Sequence, residues 1–391
     1  MPSHQAIDAI LQQATDSAAV PGVVALAASR EGLLYEGAFG KRSLPDGAPM
    51  TLDTVFWIAS MTKAVTSVAA LQLVERGKLA LDAPLAELLP YLGEAQVLDG
   101  FAADGTPMLR PARTKITLRH LLTHTAGFTN DIWNADAGRY MQQAGVPRSS
   151  SGLKIALRMP LVTDPGTRWD YSIATDWVGQ AIEAASGLPI DVYFAEHLFG
   201  PLGMVDSGFM TTEEQRSRQT LRHQRAADGT LTAIPLETRP RPEFFAGGGG
   251  LHSTGPDYLT FVRMLLGGGT LDGAQVLRPE TVALMGQNQI GELTAGVMQT
   301  ARPDLSNDVD FFPGMTQRWG LGFLINTEAS ATGRRAGSLA WAGLGNTYYW
   351  IDSTAGVTGL IMMQILPFAD HEAVDLYRRF ETAVYGLLAA G

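Results

Sequence analysis

The apolar positions near both ends of the chain follow helix and strand periods. Apolar side chains recur at helical spacing from Ala6 to Ala14, which predicts an amphipathic helix. Two apolar runs follow, over residues 22–28 and 33–40, and the turn at Glu31 and Gly32 makes them a hairpin. Near the C-terminus, strand patterns cover residues 321–327, 335–341, 347–352 and 358–366, and a last helical pattern covers residues 371–389. Short connections between these strands predict antiparallel pairing.

The middle of the chain has a different pattern, with few strands between about residue 60 and residue 210. Helices are predicted over residues 60–76, 116–124, 176–186 and 191–198. Beyond them, a weak hairpin is predicted at Asp228 and Gly229, and a further helix over residues 256–266.

This layout predicts an α+β fold made of two parts. Residues 1–55 and 245–391 form a domain with an antiparallel sheet flanked by the terminal helices, and residues 56–244 form a mainly helical domain inserted between them. The interface between two such domains is a usual place for a binding or active site. The active site is therefore expected at that interface.

Composition and charge narrow the choice of partners. The chain has 391 residues, of which 46% are hydrophobic and 17% charged, so a globular protein with a sizeable core is expected. The formal net charge of -10 argues against nucleic acid or an anionic membrane as a partner. The chain has no cysteine, which excludes disulfides and thiolate sites. The N-terminal residues lack the pattern of a signal peptide, so a cytoplasmic location is expected.

Ser60 and Lys63 carry the first chemical hypothesis. The predicted helix begins at or just before Ser60, and residues three apart on a helix are neighbours on one face. The Lys63 side chain can therefore reach the Ser60 hydroxyl, while the helix N-terminus supplies free N–H groups for a developing negative charge. Acyl transfer needs a nucleophile, a base and an oxyanion site, and this segment offers the first two and part of the third. Ser-x-x-Lys also occurs by chance, as a serine near a helix start with a solvated lysine.

Two further segments are candidates for the same site. Tyr171 lies in a predicted loop between Pro165–Gly166 and a helix that starts near Ala174. A tyrosine can act as a general base beside a cation, and Lys63 could be that cation; packing at a loop is the alternative. The segment 339–346 runs from a strand into glycines, which brings backbone N–H groups close to a ligand or simply forms a turn.

Taken together, these segments resemble the serine hydrolases of the class C β-lactamase and penicillin-binding-protein superfamily, which carry a Ser-x-x-Lys motif. Within it, the chain is most similar to the family VIII carboxylesterases. The resemblance extends in order over most of residues 5–385. It is carried by residues 60–63, 116–127, 165–172, 247–254, 319–323 and 341–343.

The resemblance implies a β-lactamase-like fold and a set of roles. Ser60 would be the nucleophile, and Lys63 and Tyr171 together the base that takes its proton. The backbone N–H groups of Ser60 and Leu344 would form the oxyanion hole, and residues 341–343 would occupy the third motif.

Departures from the β-lactamase pattern point to an ester substrate. Ile173 stands where β-lactamases have Asn, and Trp341–Ala342 stands where they have Lys-Thr. Loss of charge-assisted contacts to a β-lactam carboxylate costs about 1.5–3 kcal/mol each, so a neutral, apolar ester fits better. The expected substrate-binding residues are Trp341, Ala342, Gly343, Ile173, Phe128 and Phe245.

The expected activity is therefore that of a carboxylesterase for small, short-chain esters, with no cofactor. Amide hydrolases (D-aminopeptidase, nylon-oligomer hydrolase or weak β-lactamase) and acyltransferases use the same site, and a non-catalytic binding protein remains an alternative. His120 and His124 are four residues apart but lack the metalloprotease glutamate and a third ligand, so helix capping or core hydrogen bonds are expected rather than a metal. Asp176 either helps orient the Tyr171 loop or is a surface charge.

Overall fold

A computed structural model describes residues 3–45, 47–236 and 241–390 of the chain. Its strands are β1 (Gly22–Ser29), β2 (Leu33–Gly40), β3 (Phe56–Trp57), β4 (Gln96–Phe101), β5 (Pro107–Pro111), β6 (Arg222–Arg225), β7 (Leu231–Ile234), β8 (His252–Ser253), β9 (Thr270–Leu271), β10 (Ala274–Gln275), β11 (Gln317–Trp319), β12 (Leu324–Asn326), β13 (Leu339–Gly343), β14 (Thr347–Asp352), β15 (Val357–Met362) and β16 (Ile365–Leu366).

Its α-helices are α1 (His4–Asp16), α2 (Thr62–Glu75), α3 (Pro90–Glu94), α4 (Leu118–Leu122), α5 (Ala135–Ala144), α6 (Ala174–Ser186), α7 (Ile190–Phe194), α8 (Gly200–Leu202), α9 (Glu213–Ser217), α10 (Gly255–Leu266), α11 (Pro279–Met285) and α12 (His371–Ala390). In the described part of the chain, no helix is both long and apolar enough to cross a membrane.

A seven-stranded sheet, in the order β11-β12-β13-β14-β15-β1-β2, forms the centre of the molecule. Every neighbouring pair is antiparallel, and the N-terminal hairpin joins the C-terminal strands through β1 and β15, with Leu26 opposite Leu360. This confirms the predicted antiparallel sheet built from both chain ends. The division into two domains at residues 55 and 245 stays a prediction.

Both faces of the sheet are covered, which explains the continuous apolar runs of its strands. Successive side chains of a strand point to opposite faces. Accordingly, Tyr349 on β14 packs on Tyr258 of α10 with ring centroids 5.4 Å apart, whereas its neighbour Trp350 packs on Phe380 of α12 at 5.9 Å. All six residues of β14 are buried. Strands covered on both sides lose the alternation of a half-exposed strand.

The terminal helices lie together on one face, as the sequence predicts. Tyr35 of β2 contacts the ring of His4 on α1 at 5.8 Å and that of Phe380 on α12 at 5.9 Å. Its hydroxyl donates to Asp8 of α1 at 2.7 Å. Ile7 and Leu11 on the apolar stripe of α1 are fully buried.

The strand predicted over residues 358–366 is two strands. It divides at Met363 and Gln364, after which β16 pairs in parallel with β6 instead of continuing along β1. The Gln364 amide donates to the carbonyl of Trp57 at 2.9 Å, so the break ties the sheet to the segment just before the Ser60 turn.

The middle of the chain is mainly helical but contains a hairpin that its pattern does not predict. Strands β4 and β5 pair antiparallel, with Val97 opposite Arg110. The weak hairpin at Asp228–Gly229 is confirmed as β6 and β7. Helix α2 packs against α6, and every residue from Thr62 to Leu73 is buried. The beginning of α2 therefore lies deep inside the molecule.

Candidate active site

Ser60 sits in a tight helical turn, Ala59–Met61, that leads into α2. Ala59 has a φ of 45°, in the left-handed region that non-glycine residues rarely adopt. The turn is held on both sides: the Ile58 N–H donates to the carbonyl of Leu251 at 3.0 Å, and the Tyr258 hydroxyl donates to the carbonyl of Met61 at 2.9 Å. An unusual backbone conformation persists when its surroundings determine it in this way, and such positions cluster at functional sites.

Lys63 lies one turn after Ser60 and faces it. Its Nζ donates to Ser60 Oγ at 3.2 Å and to the carbonyl of Gly248 at 2.7 Å. The same Nζ is 4.7 Å from the centre of the Tyr171 ring. The structure thus brings together the three residues that the sequence singles out, although Ser60 and Tyr171 are far apart in the chain.

Trp341 contacts and orients Tyr171. No local sequence pattern predicts this contact. The Trp341 Nε1–H donates to the Tyr171 hydroxyl at 2.9 Å, and the two rings lie 4.8 Å apart. Both side chains are nearly buried. This hydrogen bond fixes the position of the Tyr171 hydroxyl in the site.

His124 packs on the other side of Tyr171. The rings are 4.8 Å apart, and His124 Nδ1 forms a hydrogen bond with Ser172 Oγ at 3.1 Å. Burial, with a smaller contribution from the Lys63 charge, holds the pKa of His124 well below its usual value. His124 is therefore a neutral packing partner of Tyr171 at neutral pH.

The expected roles of His120 and His124 are confirmed as helix capping and a core hydrogen bond. The His120 backbone N–H donates to Thr117 Oγ1 at 3.2 Å, and the Thr117 backbone N–H donates to His120 Nδ1 at 3.3 Å, which together cap α4. In residues 3–45, 47–236 and 241–390, no group of three His, Asp or Glu side chains could hold a metal ion.

Strand β13 carries the third motif past the Ser60 turn. At Gly343 a side chain is excluded, because a Cβ would lie 2.3 Å from the carbonyl oxygen of Ile58. The glycine lets the strand approach the turn, and Leu344 follows it at the edge of the cavity that also contains Ser60. Beyond Leu344, buried Asn346 has a φ of 58°, and its amide donates to the carbonyls of Ile365 and Pro367 at 2.9 Å each. The segment that carries the Leu344 N–H is therefore fixed.

A cavity of about 760 Å³ opens above these residues. Ser60, Lys63 and Tyr171 lie on its surface. Much of the rest of its wall is apolar and includes Trp133, Met159, Ile173, Phe209, Phe244, Phe245, Met298, Trp341, Ala342, Leu344 and Phe368. Of the predicted substrate-binding residues, the structure therefore places Trp341, Ala342, Ile173 and Phe245 at the cavity.

Two of the predicted substrate-binding residues lie elsewhere. Phe128 is fully buried and stacks on Trp177, with ring centroids 6.4 Å apart, so it belongs to the core beneath the wall. Gly343 is likewise absent from the cavity surface, because it is pressed against Ile58. The prediction is wrong for Phe128 since an aromatic residue next to a motif can point into the core as readily as into a pocket.

A serine hydroxyl beside a lysine and a tyrosine, on the surface of an apolar cavity in a β-lactamase-like fold, defines a serine enzyme of the hydrolase type. The chain belongs to the beta-lactamase family, whose family model matches residues 7–384. The resemblance to that superfamily and the predicted fold class are thereby confirmed.

Comparison with individual proteins gives relatives of two activities. The chain is 34% identical over 404 residues to the monacolin J acid methylbutanoyltransferase of Aspergillus terreus, an alignment that covers 98% of this chain and 96% of the relative. It is 31% identical over 399 residues to the lovastatin esterase of Penicillium rubens, covering 97% and 98%. A solved structure of a mutant simvastatin synthase from Aspergillus terreus superposes with a TM-score of 0.86 at 32% identity, covering 98% of this chain and 97% of the other.

Proposed function

We propose that this protein is an acyltransferase that works through an acyl-enzyme on Ser60. It takes a short acyl group from an ester donor and passes it to the hydroxyl of a bulky, apolar alcohol. Water replaces the alcohol when no acceptor is bound, so ester hydrolysis is the secondary activity. The observation that carries the proposal is the large apolar cavity above the cluster of Ser60, Lys63 and Tyr171.

In the first step, Ser60 Oγ attacks the carbonyl carbon of the donor ester and loses its proton to the Lys63–Tyr171 pair. The oxyanion that forms is stabilised by the N–H groups of Ser60 and Leu344. When the tetrahedral intermediate collapses, the bond to the leaving alcohol breaks, and that alcohol takes the proton from the pair. The acyl group stays on Ser60.

The second step is the same sequence in reverse with a new alcohol. The acceptor hydroxyl gives its proton to the pair and attacks the acyl carbon, and Ser60 Oγ leaves and regains the proton. The cavity volume of about 760 Å³ lies within the range of sites for drug-sized ligands and exceeds the needs of a short acyl chain. An apolar acceptor that fills this space also displaces the competing water.

Simple carboxylesterase activity is the second candidate function, and the esterase relative of similar identity and coverage favours it. The two candidates share every residue of the cluster and differ in which nucleophile discharges Ser60. The acyltransferase relative and the size of the apolar cavity support transfer.

A partition experiment separates the two candidates. The purified protein is given p-nitrophenyl butyrate with increasing menthol, and menthyl butyrate and butyric acid are quantified by chromatography. Acyl transfer predicts that menthyl butyrate becomes the main product, while equimolar ethanol, too small to fill the cavity, has little effect. Butyric acid alone at every menthol concentration would mean an esterase. Ser60→Ala should form neither product.

A further inference from the structure

The break in the sheet between β15 and β16 places a glutamine beside the active site. Gln364 lies at this break, is 3% exposed and lines the cavity that contains Ser60. A buried carboxamide is costly unless its polar atoms form hydrogen bonds. The partners of the Gln364 side chain therefore show what the break holds in place.

The amide nitrogen of Gln364 donates to two backbone carbonyls, those of Trp57 and Met363, each at 2.9 Å. A carboxamide nitrogen carries two hydrogens, so both of its donors are used. Because both neighbours are acceptors, the nitrogen of the amide faces them and the oxygen does not. The orientation of this side chain is thus determined by backbone atoms.

The first of these carbonyls belongs to the segment that leads into the Ser60 turn. Trp57 lies three residues before Ser60 in the chain. Its indole Nε1–H donates to the carbonyl of Gly249 at 2.8 Å, while its own carbonyl accepts from Gln364. The entry to the Ser60 turn is therefore held from two sides, and Gln364 supplies the hold from the end of the sheet.

The same amide lies against the turn that follows β13, residues 344–346, called here the Leu344 turn. A Cβ on Gly345 would lie 2.7 Å from Gln364 Nε2 and 3.3 Å from the carboxamide carbon. The Ile365 N–H, next in the chain, donates to the Gly345 carbonyl at 3.0 Å. Gln364 thus packs on the residue directly after Leu344, where only glycine leaves room for its amide.

The two turns also meet directly, at Gly343 and Ile58. A Cβ on Gly343 would lie 2.3 Å from the Ile58 carbonyl oxygen, so the backbones are as close as they can come. A steric contact limits only how near two segments approach. A hydrogen bond also sets direction, and Gln364 adds such a bond on the Trp57 side of the contact.

The spacing of the two turns decides whether an oxyanion can be held between them. In the proposed reaction, one N–H comes from Ser60 and the other from Leu344, so each turn supplies one donor. Such donors act when they lie about 2.7–3.1 Å from the oxyanion. A misplacement of about 1 Å can lower the rate about 100-fold.

We propose that Gln364 is a positioning residue that holds the Ser60 turn and the Leu344 turn at a fixed spacing, so that their two N–H groups point at one oxyanion. Its amide bonds to the entry of the first turn and packs on Gly345 in the second. The inference rests on the proposed function, because the oxyanion forms in that reaction.

The test variant is Gln364→Met, which keeps a side chain of similar length and removes both N–H donors. We measure kcat and KM for p-nitrophenyl butyrate, with active sites counted by fluorophosphonate labelling of Ser60. We also measure the affinity of trifluoromethyl propyl ketone from its protection of Ser60 against that label, because attack of Ser60 on this ketone gives a stable hemiketal oxyanion.

Gln72→Met is the matched control. Gln72 is 4% exposed, and its amide nitrogen also donates to two backbone carbonyls, those of His197 at 3.1 Å and Val276 at 3.0 Å. These carbonyls lie away from the cavity. The control therefore removes an equivalent pair of buried hydrogen bonds without touching either turn.

For Gln364→Met we expect kcat to fall about tenfold to a hundredfold and the affinity for the ketone to fall by a similar factor. KM should stay within about twofold of wild type, because the oxyanion is absent from the bound ester. Gln72→Met should keep the wild-type kcat and ketone affinity. Wild-type values in folded Gln364→Met, or equal losses in Gln72→Met, would overturn the proposal.

A second variant covers the case in which Gln364→Met does not fold. Gly345→Ala places a methyl group against Gln364 Nε2, so the amide must move, and the same losses are expected. Wild-type values in Gly345→Ala would contradict the proposal.

The ketone measurement separates this inference from the proposed function. If wild-type Ser60 is labelled and protected by the ketone but p-nitrophenyl butyrate is not turned over, the proposed function fails. The ketone affinities of the variants then still decide the role of Gln364. If wild-type Ser60 is not labelled at all, both proposals are overturned.

Discussion

The catalytic cluster and the cavity wall above it are built by different forces. In the cluster, Ser60, Lys63 and Tyr171 are held by directed hydrogen bonds that involve α2, the Gly248 carbonyl and β13. In the wall, Phe209 and Phe245 stack with ring centroids 4.9 Å apart and are held by burial. Hydrogen bonds fix positions closely, whereas apolar contacts tolerate changes of shape.

This difference separates reaction type from substrate choice. In the proposed reaction, the cluster would carry the acyl group on Ser60 and would serve an alcohol or a water acceptor equally. The wall would select the acceptor that fills the space. We therefore expect substitutions in the cluster to lower kcat for all substrates, and substitutions in the wall to change KM for bulky acceptors.

Tyr171→Phe gives the largest expected effect of the three substitutions that test this comparison. It removes the phenol oxygen from the Lys63–Tyr171 pair that takes the serine proton in the proposed reaction, and it leaves the ring packing in place. Loss of a general base costs about 100-fold to 10,000-fold in kcat. The measurement is p-nitrophenyl butyrate kinetics with Tyr193→Phe as control, a buried tyrosine that bonds to Arg76 away from the cavity. A loss below tenfold would show that Lys63 acts alone.

Trp341→Phe is the next in size. It keeps an aromatic ring but removes the N–H that donates to the Tyr171 hydroxyl, so kcat should fall about tenfold, as expected for the loss of one hydrogen bond that positions this side chain. Trp319→Phe is the matched control, because it also removes a buried indole N–H, which donates to the carbonyl of Leu122 at 3.1 Å. Equal losses in both variants would mean that general packing, not the bond to Tyr171, matters.

Phe245→Ala tests the wall and has the smallest expected effect on chemistry. Removing this ring should raise KM for menthol in the transfer reaction about tenfold while leaving hydrolysis of p-nitrophenyl butyrate nearly unchanged, because a lost aromatic contact is worth about 1–2 kcal/mol. Phe128→Ala is the control: it should lower the free energy of unfolding by about 3–5 kcal/mol without a change in KM. A lower kcat both for transfer to menthol and for hydrolysis by water would contradict the idea that the wall affects acceptor binding and the cluster affects the reaction.

The sequence was most informative where function depends on neighbours in the chain. Ser60 and Lys63 are one helical turn apart, so their contact follows from helix geometry alone. The bond between Trp341 and Tyr171 joins residues 170 positions apart, and no local pattern predicts it. The sequence does not decide whether Asp176 orients the Tyr171 loop or is a surface charge, because burial is a tertiary property.

The unpredicted hairpin of β4 and β5 shows a second limit. Its strands carry exposed and polar residues, and Gly100 has a φ of 98°, so the apolar alternation typical of a strand is weak. Arg110 instead pairs with Asp99 across the hairpin at 2.8 Å and with Asp164 at 2.9 Å. Asp164 is distant in sequence, so the contacts that hold this hairpin leave no periodic pattern to detect.

The central claim is that the acyl group passes through Ser60. The most direct test is rapid quenching of the wild-type protein with p-nitrophenyl butyrate, followed by intact mass and peptide mapping. We predict one butyryl group on Ser60, discharged faster when menthol is added than in water. Ser60→Ala should form no such adduct, whereas Ser67→Ala, on the helix α2 that follows the Ser60 turn, should still form it. Turnover without an adduct on Ser60, or an adduct on another residue, would contradict the account.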